Sequence, residues 1–126
     1  MKFRKLFISA LLLACSAASH ALEIQPYTPV ALAAAQKADR PVAVHFRADW
    51  CPTCRAQDKV LQSLQAEQGL DLIVLSANYD TEKALKRRFK VNAQSTLVVL
   101  HGQQERARLV GDATTAGIRD ALKSAL

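Results

Sequence analysis

Three short apolar runs, at residues 42–46, 72–75 and 96–100, are separated by stretches long enough to be helices. No other feature constrains the fold as tightly. Runs this short with no internal polar alternation are strands buried on both faces. Strands separated by helices make an α/β sandwich. After the third run only residues 101–104 precede another strand at 106–110. Four residues are too few for a crossover, so that pair is expected as an antiparallel hairpin. The class is therefore α/β: a central mixed sheet flanked by helices.

The remaining segments fit around this frame. Residues 22–28 contain Pro26 and read as an edge strand or an extended arm. Pro29 can start an Ala-rich helix over 30–38, which Asp39-Arg40-Pro41 breaks. A helix is expected over 52–68, with Val60, Leu61 and Leu64 on one face and Gly69 as its stop. The second strand spans 70–77, and Asp80 is expected to cap a helix over 81–90. Gly111 ends the hairpin, and Thr114 or Thr115 can cap a last helix to about residue 126. The condensed order is β-α-β-α-β-β-α, in one domain over residues 22–126.

The first 21 residues read differently. Met1-Lys2-Phe3-Arg4-Lys5 is basic, residues 6–18 carry no charge, and Ser19-His20-Ala21 is a small-x-small end. This is the pattern of a secretory signal peptide, and the uncharged run is shorter than the ~18 residues of a membrane span. Cleavage after Ala21 would release a soluble periplasmic protein. The alternative is a lipoprotein signal over 1–14, with Leu12-Leu13-Ala14 leading to a lipidated Cys15; contact with a membrane is expected only in that case. Three of the 17 Lys and Arg lie in this segment, leaving 14 cations against 11 acidic residues. So small an excess gives no support to nucleic-acid binding, and no nucleic-acid partner is expected. The basic cluster Lys86-Arg87-Arg88-Lys90 reads as a solvated helix face, with an acidic partner as the lesser reading.

Beyond Cys15 the chain has two cysteines, Cys51 and Cys54, in Trp50-Cys51-Pro52-Thr53-Cys54, where a strand gives way to a helix. Two cysteines three apart in a first helical turn can close a disulfide with little backbone movement. Cys51 would face the positive end of the helix dipole and free backbone N–H groups, which favour thiolate. It is the expected nucleophile, and Cys54, one turn inside, is the expected resolving thiol. A structural disulfide is a second reading, although a loop this short yields little closure stabilisation. A metal site is a third, but no second Cys-x-x-Cys or His-x-x-x-His is present. The expectation is a site with no resident cofactor or metal.

From about residue 30 to 126 the chain resembles the thioredoxin family. The likeness is carried by residues 42–55 (including Ala48-Asp49-Trp50-Cys51-Pro52-Thr53-Cys54-Arg55), by the strand Leu72-Ile73-Val74-Leu75, by Arg88-Phe89-Lys90-Val91, by Thr96-Leu97-Val98-Val99-Leu100, and by Val110-Gly111. The resemblance implies a thioredoxin-like fold and an exported thiol–disulfide oxidoreductase. Its partners would be protein or small-molecule thiols and disulfides, together with a redox partner protein. Trp50, Ser95 and Thr96 would form the substrate loop. Three departures stand out. Ser95 occupies the place of the family's cis-proline, and a trans bond is expected there because a non-proline cis bond costs ~3–4 kcal/mol. His45 stands where the family has a buried Asp, as a possible proton acceptor or a core histidine. Lys59 replaces a helix-kinking proline. With Ser95 in the loop, sulfurs more exposed or a space for a ligand are expected, and Ser95→Pro is expected to restore ordinary family behaviour if its backbone can take proline's φ. A non-catalytic binding module, holding a metal through the cysteine pair, is the alternative function.

Overall fold

Alternation along one central strand sorts the molecule into two layers. In β2 (Pro41–Arg47), Val42, Val44 and Phe46 point to one face of the sheet, and Ala43 points to the other. The computed structural model, which describes residues 21–126, orders the sheet as β1-β3-β2-β4-β5. Here β1 is Glu23–Pro26, β3 Ile73–Asn78, β4 Thr96–His101 and β5 Gln104–Val110. The β1–β3 and β3–β2 pairs are parallel, and the β2–β4 and β4–β5 pairs are antiparallel. The sheet is mixed, as expected, and residues 23–26 form an edge strand; β4 lies antiparallel to β2 even though a helix joins it to β3.

Helices α1 (Pro29–Lys37) and α3 (Lys83–Phe89) cover one face through Leu32, Ala35 and Leu85, against Val42, Val44, Phe46, Val98 and Leu100. Helices α2 (Pro52–Leu64) and α4 (Thr115–Lys123) cover the other through Leu61, Leu64, Ile118 and Leu122, against Ala43, Val74, Leu97 and Val99. Each fully buried Leu or Val side chain contributes about 1.5–3 kcal/mol relative to exposure, so these two layers supply the main driving force.

Further sequence expectations need correction, the start of the second strand among them: β3 begins at Ile73, not at residue 70. The condensed order, with seven elements, lacks one βα unit: nine elements form, one for each segment read from the sequence. Helix α2 stops at Leu64, not at 68: the N–H groups of Gln65, Ala66 and Glu67 bond three residues back, tightening the chain out of the α-helix before Gly69 takes φ +89°. Asp80 does not cap α3. That helix starts at Lys83 behind Glu82, without a side-chain cap, while Asp80 accepts a hydrogen bond from Trp50. Finally, β5 begins at Gln104, which pairs with His101, so the hairpin loop is the two residues Gly102-Gln103. Gly102 takes φ +57° at that turn, where a β-carbon would run into the Asp39 carboxylate.

The anticipated signal over residues 1–21, with its Cys15 alternative, lies outside the described residues except for Ala21. Among the described residues no helix is long and apolar enough to cross a membrane.

Candidate active site

The carboxyl end of β2 delivers the chain directly into α2, and Cys51 occupies the junction. It is the N-cap of α2: its backbone is extended, and its sulfur accepts the Cys54 N–H at 3.1 Å. Pro52 follows at the first helical position, where a missing N–H breaks no helix bond. Cys51 and Cys54 are joined as a disulfide with their Cα atoms 5.2 Å apart, and both are buried. The arrangement gives the Cys51 sulfur one backbone donor and the positive end of the helix dipole, both of which favour negative charge there.

Ser95 closes the site from the other side. Its hydroxyl oxygen lies 3.1 Å from Cys51 Sγ and 3.0 Å from Cys54 Sγ. A disulfide has no S–H, so the hydroxyl is the donor. All described peptide bonds are trans. The residue instead adopts φ +60°, a left-handed conformation unusual for a residue with a β-carbon. Such strain persists only where neighbours over-determine it. Here Ser95 N donates to Phe46 O, and Ser95 O accepts from Gly111 N and from Gln57 Nε2, at 3.0, 3.0 and 3.1 Å. The expectation of more open sulfurs is therefore corrected: Ser95 is itself buried and its hydroxyl sits against both sulfurs.

His45, on β2, projects to the α2 side, where its Nε2 lies 2.8 Å from Gln57 Oε1. Gln57 Nε2 spends its two protons on the carbonyls of Ser95 and Asp112. Its Oε1 must then accept, which assigns the proton of the neutral imidazole to Nε2. Nδ1 faces Asp58 Oδ1 at 3.5 Å, and Asp58 also receives Arg47 Nε at 2.9 Å. Burial pushes the His45 pKa below the usual imidazole value, against the opposing pull of Gln57 and Asp58; Arg47 adds to the lowering. Both ring nitrogens thus face side chains of α2, and the bonds to the sulfurs come from Ser95 and the Cys54 N–H.

Gln57 was not singled out in the sequence, yet it joins His45 to the Ser95 loop. The signal was present: Cys54, Gln57, Leu61 and Leu64 follow one inward stripe of α2, and Gln57 is the amide among them. Of the other expected loop residues, Trp50 is 57% exposed, with its indole N–H donating to Asp80 Oδ2 at 2.8 Å. Thr96 is buried and its hydroxyl donates to Ala93 O. Lys59 is exposed on an unbroken α2. In the basic cluster, Lys86 lies over the Tyr79 ring and Arg88 donates to Gln36, so two of the four cations are engaged within the fold.

Comparison with known proteins agrees with this geometry. A family profile described as Thioredoxin matches residues 31–124. Thioredoxin of Mycobacterium bovis is 34% identical over 73 residues, which are 58% of this chain and 63% of that protein. The bifunctional thioredoxin reductase/thioredoxin of Mycobacterium leprae is also 34% identical over 73 residues, but these make up 16% of its length. The matches thus span less than two thirds of these curated relatives. Among solved structures, Trxlp from Edwardsiella tarda EIB202 superposes with a TM-score of 0.74 at 38% identity, covering 79% of this chain and 98% of that one. A mutant thioredoxin from Halobacterium salinarum, with a TM-score of 0.69 at 22% identity, shares the fold.

Proposed function

The chain belongs to the thioredoxin family, and on that premise we propose that it is a thiol–disulfide oxidoreductase working through Cys51 and Cys54. The observation that carries the reading is the disulfide set at a helix N-cap, with the Cys51 sulfur already accepting a backbone N–H. In the reducing direction the Cys51 thiolate attacks one sulfur of a substrate disulfide. A Cys51–substrate bond forms, and the other substrate sulfur leaves as thiolate. Cys54, deprotonated, then attacks Cys51 Sγ and expels the second substrate thiolate. Two electrons pass to the substrate, and the Cys51–Cys54 disulfide is left behind. Oxidation of a dithiol substrate is the same sequence reversed. A redox partner protein of the dithiol or disulfide class restores the starting state.

Turnover is tested by insulin reduction with dithiothreitol as electron donor. Wild type accelerates precipitation of the insulin B chain, and Cys51→Ser abolishes the acceleration. No acceleration by wild type, with the disulfide shown to open and close, would overturn the reading in favour of a binding module. Export to the periplasm is part of the proposal and is supported by the basic-apolar-small pattern of residues 1–21. The intact mass of the protein isolated from cells tests it. A chain beginning at Leu22 marks soluble export, a diacylglyceryl-modified Cys15 marks an anchored lipoprotein, and an intact Met1 on all molecules overturns export.

A further inference from the structure

We propose that the Ser95 hydroxyl is a catalytic hydrogen-bond donor that follows the negative charge from one sulfur to the other during exchange. The inference deepens the oxidoreductase reading and rests on it. Its basis is the near-equality of two contacts: 3.1 Å from Ser95 Oγ to Cys51 Sγ and 3.0 Å to Cys54 Sγ. One rotation about the Cβ–Oγ bond re-aims the proton between sulfurs while no heavy atom of Ser95 moves. The backbone that carries the oxygen is fixed. Phe46 O, Gly111 N and Gln57 Nε2 hold the Ser95 backbone from three different elements or loops, in a conformation the residue would not choose alone.

Each sulfur bears charge at a different moment. When an external thiolate attacks Cys51 Sγ, the Cys51–Cys54 bond breaks and its electron pair leaves on Cys54 Sγ. The hydroxyl then points to Cys54 and stabilises the leaving thiolate. When Cys51 is released as the free thiolate, the hydroxyl turns to Cys51. Ser95 keeps its proton throughout and forms no covalent bond. The proton that finally neutralises Cys54 comes from the attacking thiol by way of solvent. Hydrogen bonds to charged groups are the stronger class, and Cys51, Cys54 and Ser95 are all buried. A proline at this position, as in the family pattern, has no hydroxyl and could not act in this way.

The test compares wild type with Ser95→Ala and Ser95→Gly. Alanine removes the hydroxyl and keeps the β-carbon; glycine removes both and relieves the positive φ. Two rates are read. The first is iodoacetamide alkylation of reduced Cys51 at mildly acidic pH, relative to its alkaline plateau. The second is the second-order rate at which dithiothreitol opens the oxidised protein, with Cys54 as leaving group. Loss of one charge-assisted hydrogen bond slows each by about tenfold in both variants, with the alkaline plateau within about twofold of wild type. If either variant keeps either rate within about twofold of wild type, a charge-following donor is refuted. Neither rate depends on insulin turnover, so failure of the oxidoreductase reading and failure of the Ser95 assignment are separately visible.

Discussion

His45 shows how one buried side chain can tie stability to pH without touching the reacting atoms. Its folded-state pKa is held below the ordinary 6.5, chiefly by burial. The unfolded chain therefore binds the proton more readily than the folded one. The stabilisation is complete above the unfolded value and is lost as pH falls through it toward the folded value. Wild type should lose unfolding free energy between about pH 7.5 and about pH 5.5, measured by urea denaturation, and His45→Asn should lose less over the same interval. An unchanged difference between the two proteins would contradict the assignment. Gln57 bonds His45, Ser95 and Asp112 at once, so Gln57→Ala should cost about 2–3 kcal/mol in the same assay. Ser95→Pro is a sharper case. The family pattern suggests it as a restoration, but Ser95 sits at φ +60° and its N–H bonds to Phe46 O. Proline needs φ near −65° and has no N–H. The variant should lose about 2–4 kcal/mol rather than gain activity, as read from its urea midpoint.

At the level of elements, much of the fold was legible because burial writes itself into short apolar runs. β2, β3 and β4 announce themselves this way, and Pro29 and Pro52 both stand where helices start. The ends were less legible. Asp80 looks like a helix cap, but the indole of Trp50, thirty residues earlier, takes it as an acceptor. No local pattern encodes such a competition. The site divides similarly. Cys51 and Cys54 are visible from spacing alone, whereas Gln57 joins the site only because β2 places His45 against α2 and the loop before β4 brings in the Ser95 carbonyl. Where a cap is formed as expected, its worth can be checked. Thr114 Oγ1 accepts the Gly117 N–H at the start of α4, so Thr114→Ala should cost about 1 kcal/mol in thermal or urea unfolding. A change under about 0.3 kcal/mol would mean that the Asp112 carboxylate, which already accepts the Thr114 N–H, carries the cap instead.

For the whole molecule, the sheet topology decides which segments can meet the sulfurs. β2 is central, with parallel β3 on one side and antiparallel β4 on the other. The carboxyl end of β2 and the start of β4 are therefore neighbours, and Cys51 and Ser95, 44 residues apart in sequence, share a boundary. α2 packs against the same end and lends both its N-terminus and Gln57. Sheet, helix and loop thus converge on one disulfide, and the proposed chemistry requires Cys51 to be the sulfur that exchanges. The most direct measurement is trapping. Reduced Cys54→Ser and reduced Cys51→Ser are each mixed with oxidised glutathione at mildly acidic pH, and the adducts are mapped by peptide mass spectrometry. With a thiolate favoured at the N-cap, Cys54→Ser should accumulate a glutathione adduct on Cys51 about tenfold or more faster than Cys51→Ser forms one on Cys54. Equal rates, or faster reaction at Cys54, would contradict Cys51 as the nucleophile.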